Sequence, residues 1–408
     1  MIEKNKKAYQ TLIKSYNGEY SESYCKDNHL FIAYNRDGSL RAKTRNLVNY
    51  QKDIVNTDLS FIFGSWQTIN PAEGFEDTKN TAVTRLQEIL GDNDWERKKF
   101  EIVQQGLLLG VTAIRIGRNE KDAVKFAKVD LTESELEPVY DGDDIIGWRL
   151  RTERHSKRII EHFLHDRYIR YVNGKEDIDI PNQYGEPWLI VIANRPDIST
   201  DDWVGISEWE DIRVIVDDIN ATLSRIAAIE DYYAIPRLLI TGASEADLKK
   251  DDNFFFVDDP SGKIEFLEFT GTAFPSILEK LKLLIATLKD RCPELIMNDL
   301  GDLSGYALKL KLEKLQKKIG QLRQNYFAGF AQLFALIYEM DTNTKMGFDI
   351  VAEDVIPHDT TALMTEMLTL QQAGVISMQT ATEELGYNYK QEQERMRDEG
   401  PYLGLPSQ

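Results

Sequence analysis

The chain has 408 residues, 42% hydrophobic and 29% charged, the balance of a soluble folded protein long enough to bury a large core and to form more than one substructure. Its formal net charge of −19 excludes a basic DNA-coating protein, but not DNA passing through a channel whose contact points are locally basic. The two cysteines, Cys25 and Cys292, have no CxxC or metal-ligand spacing and read as thiols of a reducing compartment.

No apolar run approaches the ~18 residues that span a bilayer. The N-terminus lacks a signal-peptide apolar region, so an intracellular product with no membrane partner is expected. Residues 1–17 read as a short exposed helix ended by Asn17-Gly18. Residues 31–34, followed by Asn35-Arg36-Asp37-Gly38, predict a strand and turn. Three helices follow. The first covers about 46–62, with Val48, Ile54, Val55, Leu59 and Ile62 apolar. The second covers about 78–90, with Val83, Leu86, Ile89 and Leu90 inward and Gly91 closing it. The third runs from Asp94 and Trp95 to about 109. After Gly110 come short β-rich runs at 111–116, 123–129, 145–152, 158–164, 168–172 and 188–192, which predict an antiparallel sheet region with long charged hairpins.

From Gly205 a helical pattern resumes through Trp209, Ile212, Val216, Ile219, Leu223, Ile226 and Tyr233. It stops at Ile235-Pro236, because the residue before proline is pushed out of helical geometry. A compact mixed segment follows, with a strand at 238–241, a short helix at 244–250 capped by Ser244 and Asp247, and strands at 254–257 and 264–269. Pro275 opens another helix, with Ile277, Leu281, Leu284 and Leu288 inward, and Cys292-Pro293 ends it. Residues 294–304 are non-periodic: Asn298, Asp299, Gly301 and Asp302 suit a turn, while Leu295, Ile296, Met297, Leu300 and Leu303 do not suit a merely solvated one.

The longest element predicted runs from about 306 to 338, with Leu308, Leu312, Leu315, Ile319, Leu322, Tyr326, Phe330, Leu333 and Ile337 on one stripe. Over thirty residues at ~1.5 Å each span roughly 50 Å, too long for an ordinary small domain. Its first half is basic (Lys309, Lys311, Lys314, Lys317, Lys318, Arg323 against Glu313) and its second half nearly all apolar, so one end is expected to meet water or polyanion and the other a core. A returning strand at 348–351, helices at 359–373, 377–385 and 389–399, and a loose tail complete the chain. The class is α+β.

No catalytic constellation emerges, and neither an enzyme nor a cofactor is expected. Gly301-Asp302-Leu303-Ser304-Gly305 lacks the lysine and spacing of a phosphate-binding loop. His155, His162 and His165 lie in a charged β segment and read as surface residues rather than metal ligands. Adjacent acids such as Asp217-Asp218 diverge by ~100° on a helix, which argues against a two-metal nuclease. That nuclease remains one rival reading, and a structural ring or adaptor protein that handles no DNA is the other.

Several motifs, in order, carry a resemblance. They are Ile54-Val55-Asn56 to Phe63-Gly64, Gly205-Ile206-Ser207-Glu208 with Asp217-Asp218-Ile219-Asn220, Ile235-Pro236-Arg237-Leu238-Leu239-Ile240-Thr241-Gly242, Ser304-Gly305-Tyr306-Ala307-Leu308-Lys309, and Ala373-Gly374-Val375-Ile376-Ser377 with Glu394-Arg395-Met396-Arg397-Asp398-Glu399. In this order and spacing the chain resembles the portal proteins of tailed double-stranded DNA bacteriophages, most nearly those of long-tailed phages of Gram-positive hosts. Residues 141–179 match that family in style but in no motif. The resemblance implies a portal fold: a mixed wing (1–204), stem helices at 205–234 and 275–293, a small α/β clip (235–274), a tunnel loop (294–304), a long wing helix with returning strand (305–358) and a helical crown (359–408).

It further implies a virion component at the capsid vertex, assembled in the host cytoplasm as a ring of usually twelve subunits. Double-stranded DNA passes through the ring without sequence readout. The implied partners are the terminase large subunit, a head-completion or adaptor protein, and the major capsid and scaffolding proteins. On that assignment Asn298, Asp299, Gly301 and Asp302 line the DNA channel with Lys309 and Lys311 just behind. Ile219, Leu223, Leu281 and Leu284 form stem interfaces. Phe254, Ile264, Phe266 and Phe269 form clip interfaces, whose strands are expected to pair across subunits. Twelve helices ~10 Å apart give a circumference of about 120 Å and a bore near 28 Å, enough for a hydrated duplex.

Overall fold

The computed structural model describes residues 2–20, 22–35, 38–43, 48–64, 67–75, 81–196, 203–234, 238–241, 254–257, 264–266, 273–295, 305–352, 360–384, 389, 393 and 397. The chain divides into two compact units, Met1–Glu353 and Asp354–Gln408.

The first unit begins with α1 (Ile2–Asn17), α2 (Glu22–Asp27) and a hairpin of β1 (Ile32–Tyr34) and β2 (Leu40–Lys43). The expected exposed N-terminal helix is corrected: Leu12, Ser15 and Tyr16 of α1 are buried. Polar groups on other segments reach its last turn, as Gln51 Nε2 donates to Ser15 O at 2.8 Å and Asn49 Nδ2 to Tyr16 O at 3.2 Å. The next helix, α3 (Tyr50–Phe63), starts later than periodicity suggests because Asn49 is its N-cap, accepting from Lys52 N. β3 (Gln67–Pro71) follows. α4 (Thr81–Asp92) runs through Gly91 rather than ending before it. α5 (Trp95–Leu109) ends on Gly110, whose left-handed φ of 82° suits a residue without Cβ.

Gly110 turns the chain straight into β4 (Val111–Arg118), the centre of a three-stranded antiparallel sheet with β5 (Val124–Lys128) and β11 (Leu189–Ala193). Between β5 and β11 lies a five-stranded antiparallel meander, β6 (Ser134–Asp141), β7 (Asp144–Arg154), β8 (Lys157–Leu164), β9 (Arg167–Val172) and β10 (Lys175–Pro181). This is the sheet region with charged hairpins that the sequence predicts, with two more strands than predicted. β6 carries a proline amid half-buried residues and β10 is almost wholly exposed, so neither shows a clean apolar alternation.

α6 (Glu210–Ala234) and α7 (Ala273–Arg291) pack on one another. Between them in sequence lie β12 (Leu238–Thr241), β13 (Phe254–Val257) and β14 (Ile264–Phe266). β12 is central, parallel to β13 and antiparallel to β14. These strands pair within one protomer, with β13 and β14 at the edges. The predicted helix at 244–250 lies outside the described residues. α8 (Gly305–Thr342) is longer than predicted by several residues, and β15 (Phe348–Ala352) returns to pair with β3.

α8 is the axis of the core. Leu312, Leu315, Ile319, Leu322, Tyr326, Phe330, Leu333 and Ile337 are all buried, each aliphatic side chain contributing ~1.5–3 kcal/mol by leaving water. The Trp95 ring meets Phe330 and Phe334 edge-on at 4.9 and 5.2 Å. Gly329 is needed where α8 crosses β11, since a Cβ there would lie 2.4 Å from Ile192 Cδ1. Among the described residues no helix is long and apolar enough to cross a membrane.

The second unit contains α9 (Thr360–Gln372) and α10 (Met378–Glu384), which pack together. Gly374 turns the chain with φ 70°, and Ser377 Oγ accepts from Thr380 N at 3.1 Å to cap α10.

Candidate functional site

Four separated segments meet at the root of the α6–α7 pair. On α8, Lys318 follows Leu315 by three and precedes Leu322 by four, so helical spacing puts its ammonium on the buried stripe. On α3, Asp58 occupies the same kind of position between Ile54 and Ile62, and is fully buried. Glu208 lies just before α6 and Glu294 just after α7, both also buried. Lys318 Nζ donates to Asp58 Oδ2 at 3.0 Å, to Glu208 Oε2 at 2.7 Å, and to Glu294 Oε1. One ammonium thus ties both ends of the hairpin to α3 and α8.

Glu208 is the most firmly held of the three acids. Its Oε1 accepts from Asn194 Nδ2 at 2.9 Å and lies 3.6 Å from Arg195 Nε, and its backbone N–H donates to Leu107 O at 2.9 Å. Asn194 is fully buried and also donates to Ile206 O at 2.8 Å, while its Oδ1 accepts from Tyr326 Oη at 2.7 Å. The Gly110 carbonyl accepts from both Asn194 N and Gly205 N, so the strand β11 and the approach to α6 share one anchor. Glu294 is held by one oxygen only: its Oε2, like Asp58 Oδ1, is buried with no hydrogen-bond partner.

The electrostatics follow from three acids around one base in a dry place. Burial, above all, pushes Asp58 well above the ordinary carboxylate range; Lys318 offsets part of this, and the charges of Glu294 and Glu208 add to it. Burial alone pulls the Lys318 ammonium down, but the three carboxylates outweigh it and the net shift is upward. Burial and the nearby Glu294 charge push the Cys292 thiol up to about 12. Removing one member of such a buried network typically costs ~3–5 kcal/mol, because the remaining charge is left uncompensated. The arrangement can hold segments together and exchange a proton; it contains no nucleophile paired with a base.

A second polar contact fixes the side of α6. Tyr20 Oη donates to Asp217 Oδ1 at 2.9 Å, and Asn220 exchanges hydrogen bonds with the backbone of Val48 at 3.2 and 3.1 Å. Asp217 is buried and Asp218 exposed, the divergence expected of adjacent acids on a helix.

The other predicted site residues fall as follows. Ile219 is fully buried inside the protomer and offers no surface to a neighbour, which corrects its assignment as an interface residue; Leu223, Leu281 and Leu284 are half-buried. Among the described residues, the large apolar side chains exposed on α6 and α7 are Val214, Leu278 and Leu283, at 64%, 37% and 67% exposure. Phe254, Ile264 and Phe266 lie on the edge strands of the small sheet. Asn298, Asp299, Gly301, Asp302 and Phe269 lie outside the described residues, and Lys309 and Lys311 are described only as part of the opening turns of α8.

The expectation that the basic half of α8 faces water or polyanion is corrected in part. Lys314 and Lys317 are exposed, but Lys318 points inward. Arg323 donates to Phe61 O at 2.6 Å and Ile62 O at 3.0 Å, capping the last carbonyls of α3. His162 packs edge-on to Tyr171 and His165 Nδ1 lies 2.7 Å from Gly185 O. No group of three His, Cys, Asp or Glu among the described residues is arranged to hold a metal ion. Sequence reading missed the Lys318 cluster, although the placement of Lys318 and Asp58 on apolar stripes was a usable signal; Glu208 and Glu294 sit outside periodic segments and gave none.

A family model described as phage portal protein, SPP1 Gp6-like, matches residues 2–401. Among solved structures the chain is similar to one in the neck of an empty GTA particle computed with C6 symmetry, at 14% identity and a TM-score of 0.51, covering 84% of this chain and 90% of that one. It is also similar to a chain in the virion of a native gene transfer agent (GTA) particle, at 13% identity and a TM-score of 0.48, covering 83% and 89%. No curated protein matches. The first of these likenesses extends to the fold alone.

Proposed function

Since the chain belongs to the phage portal protein family of the SPP1 Gp6-like kind, and is thus a structural, non-enzymatic virion component that forms an oligomeric ring, we propose that its α6–α7 pair is the channel-forming stem of a twelve-subunit ring at the capsid vertex. Double-stranded DNA is packaged and ejected through that ring. On this reading residues 1–204 with α8 form the wing, 235–274 the clip, 294–304 the tunnel loop and 359–408 the crown.

The observation that carries the reading, beyond the family match itself, is the hairpin with its small three-stranded tip. Its outward residues Val214, Leu278 and Leu283 are apolar and exposed on the protomer, and neighbouring copies cover them. Asn298, Asp299, Gly301 and Asp302 meet the duplex. Lys309 and Lys311 supply weak attraction behind them, so that phosphate is never gripped tightly enough to stall passage. The edge strands β13 and β14, with Phe254, Ile264, Phe266 and Phe269, dock the terminase large subunit and later the head-completion or adaptor protein. The wing faces the major capsid and scaffolding proteins, and assembly takes place in the host cytoplasm.

The test is class-averaged electron micrographs of the purified full chain, expected to show closed twelve-fold rings with a bore of about 28 Å. Particles without a central bore, or one too narrow for a duplex, overturn the channel assignment.

A further inference from the structure

The Lys318 cluster holds three acids against two bases, Lys318 and the more distant Arg195, and so one carboxyl more than the bases match. Glu208 is fixed by Lys318, Asn194, Arg195 and its own backbone, whereas Glu294 hangs on Lys318 by a single oxygen. Asp58 sits 3.0 Å from the same ammonium with its second oxygen unpartnered and fully buried. Lys318 therefore has a replacement partner already in place should Glu294 leave.

We propose that Lys318 is the positioning residue for the root of α7, and that Asp58 takes over on it when Glu294 swings out to solvent, releasing its carboxyl proton as it does so. With α7 docked, Lys318 is an ammonium shared by the carboxylates of Glu208 and Glu294, and Asp58 is a neutral acid. With α7 undocked, the Asp58 O–H bond has broken, its proton has gone to water, and Glu208 and Asp58 pair with the unchanged ammonium. Glu294 regains hydration for both oxygens. Each undocking event releases one proton, and Lys318 is never left unpaired in the interior, which makes the movement far cheaper than breaking a lone buried pair.

Among the described residues, these charged and titratable groups face the cluster. α8 contributes Lys318 and Tyr326, α3 contributes Asp58, the approach to α6 contributes Arg195 and Glu208, and the end of α7 contributes Cys292 and Glu294. Tyr326, Cys292 and Lys318 are all shifted upward, and burial, above all, raises Asp58 well above the ordinary carboxylate range. The sign is fixed by linkage: docking is favoured while Asp58 is protonated and is lost as pH rises through its raised value.

Cys292 reports the event, because its buried thiol lies two residues before Glu294. The full-length protein is treated with iodoacetamide between pH 6 and 9. Alkylation of Cys292 and Cys25 is followed by peptide mass, each rate being divided by that of a free thiol at the same pH. The corrected Cys292 rate is expected to rise by up to about tenfold per pH unit, the limit for release of one proton, while that of Cys25 stays level. Asp58→Asn, which copies the neutral acid, is expected to slow Cys292 labelling and abolish the slope. Glu294→Gln is expected to speed labelling and abolish the slope as well. A wild-type rate that is flat or falls with pH overturns the proposal, as does a wild-type slope retained in either variant, so failure of one variant to fold leaves the other decisive.

Discussion

Gly106 and Tyr326 offer the sharpest check on how α5 and α8 are fitted together. A Cβ built at Gly106 lies 2.0 Å from Tyr326 Oη and 2.9 Å from its Cζ, so Gly106→Ala forces the ring to move. The substitution gains about 1 kcal/mol of helix propensity. Against that stand roughly 1–3 kcal/mol of overpacking and roughly 1–3 kcal/mol from leaving the buried Asn194 Oδ1 without its 2.7 Å donor. The net is a loss of about 3 kcal/mol. Tyr326→Phe removes the same hydrogen bond without the clash and costs about 2 kcal/mol. Because that bond cannot be lost twice, and the atom closest to the new methyl is gone, the double variant should lose about 3 rather than about 5 kcal/mol, a coupling of about 2. The assay is denaturant unfolding of the four proteins at one fixed protein concentration, since ring assembly would otherwise add its own stabilisation. Additivity to within ~0.5 kcal/mol, or a Gly106→Ala variant more stable than the parent, would refute the packing argument.

Three other outcomes are expected. Burial above all pushes Asp217 up to about 6, with Tyr20 opposing, so its contribution is full below its unfolded value and lost as pH rises through about 6. A shift of about 2 units is worth about 3 kcal/mol, so Asp217→Asn should gain on the parent by up to that amount between pH 4 and 7, and a constant gap in urea titrations across that range would show that burial does not control this group. Leu283→Asp, at an exposed position, should leave the protomer's far-UV spectrum and melting unchanged while abolishing rings in native mass spectra; Ile219→Asp, fully buried, should unfold the protomer itself, and normal rings from either would count against the hairpin reading. Deleting residues 298–302 should permit rings but sharply reduce packaged DNA, and capsids that fill to normal length at the normal rate would remove the loop from the channel.

Local periodicity carried much of the fold. The α8 stripe, the end of α6 before Ile235-Pro236 and the β-rich runs that become β4, β7 and β8 are all short-range properties, readable from side-chain periodicity and composition along the chain, whereas the pattern that opens at Gly205 becomes helix only from Glu210. The same logic was sufficient, unused, to place Lys318 and Asp58 on buried faces. The sequence could not say that one ammonium gathers Asp58, Glu208 and Glu294, because these acids are separated by up to 236 residues and nothing local marks Glu208 or Glu294. Nor could it say that Ile219 packs inside its own protomer while Val214, on the same helix, faces out. An apolar stripe states only that some surface must leave water; which surface covers it, and which buried charge meets which, depends on elements brought together across the whole chain, and that is decided only when α3, α6, α7 and α8 dock.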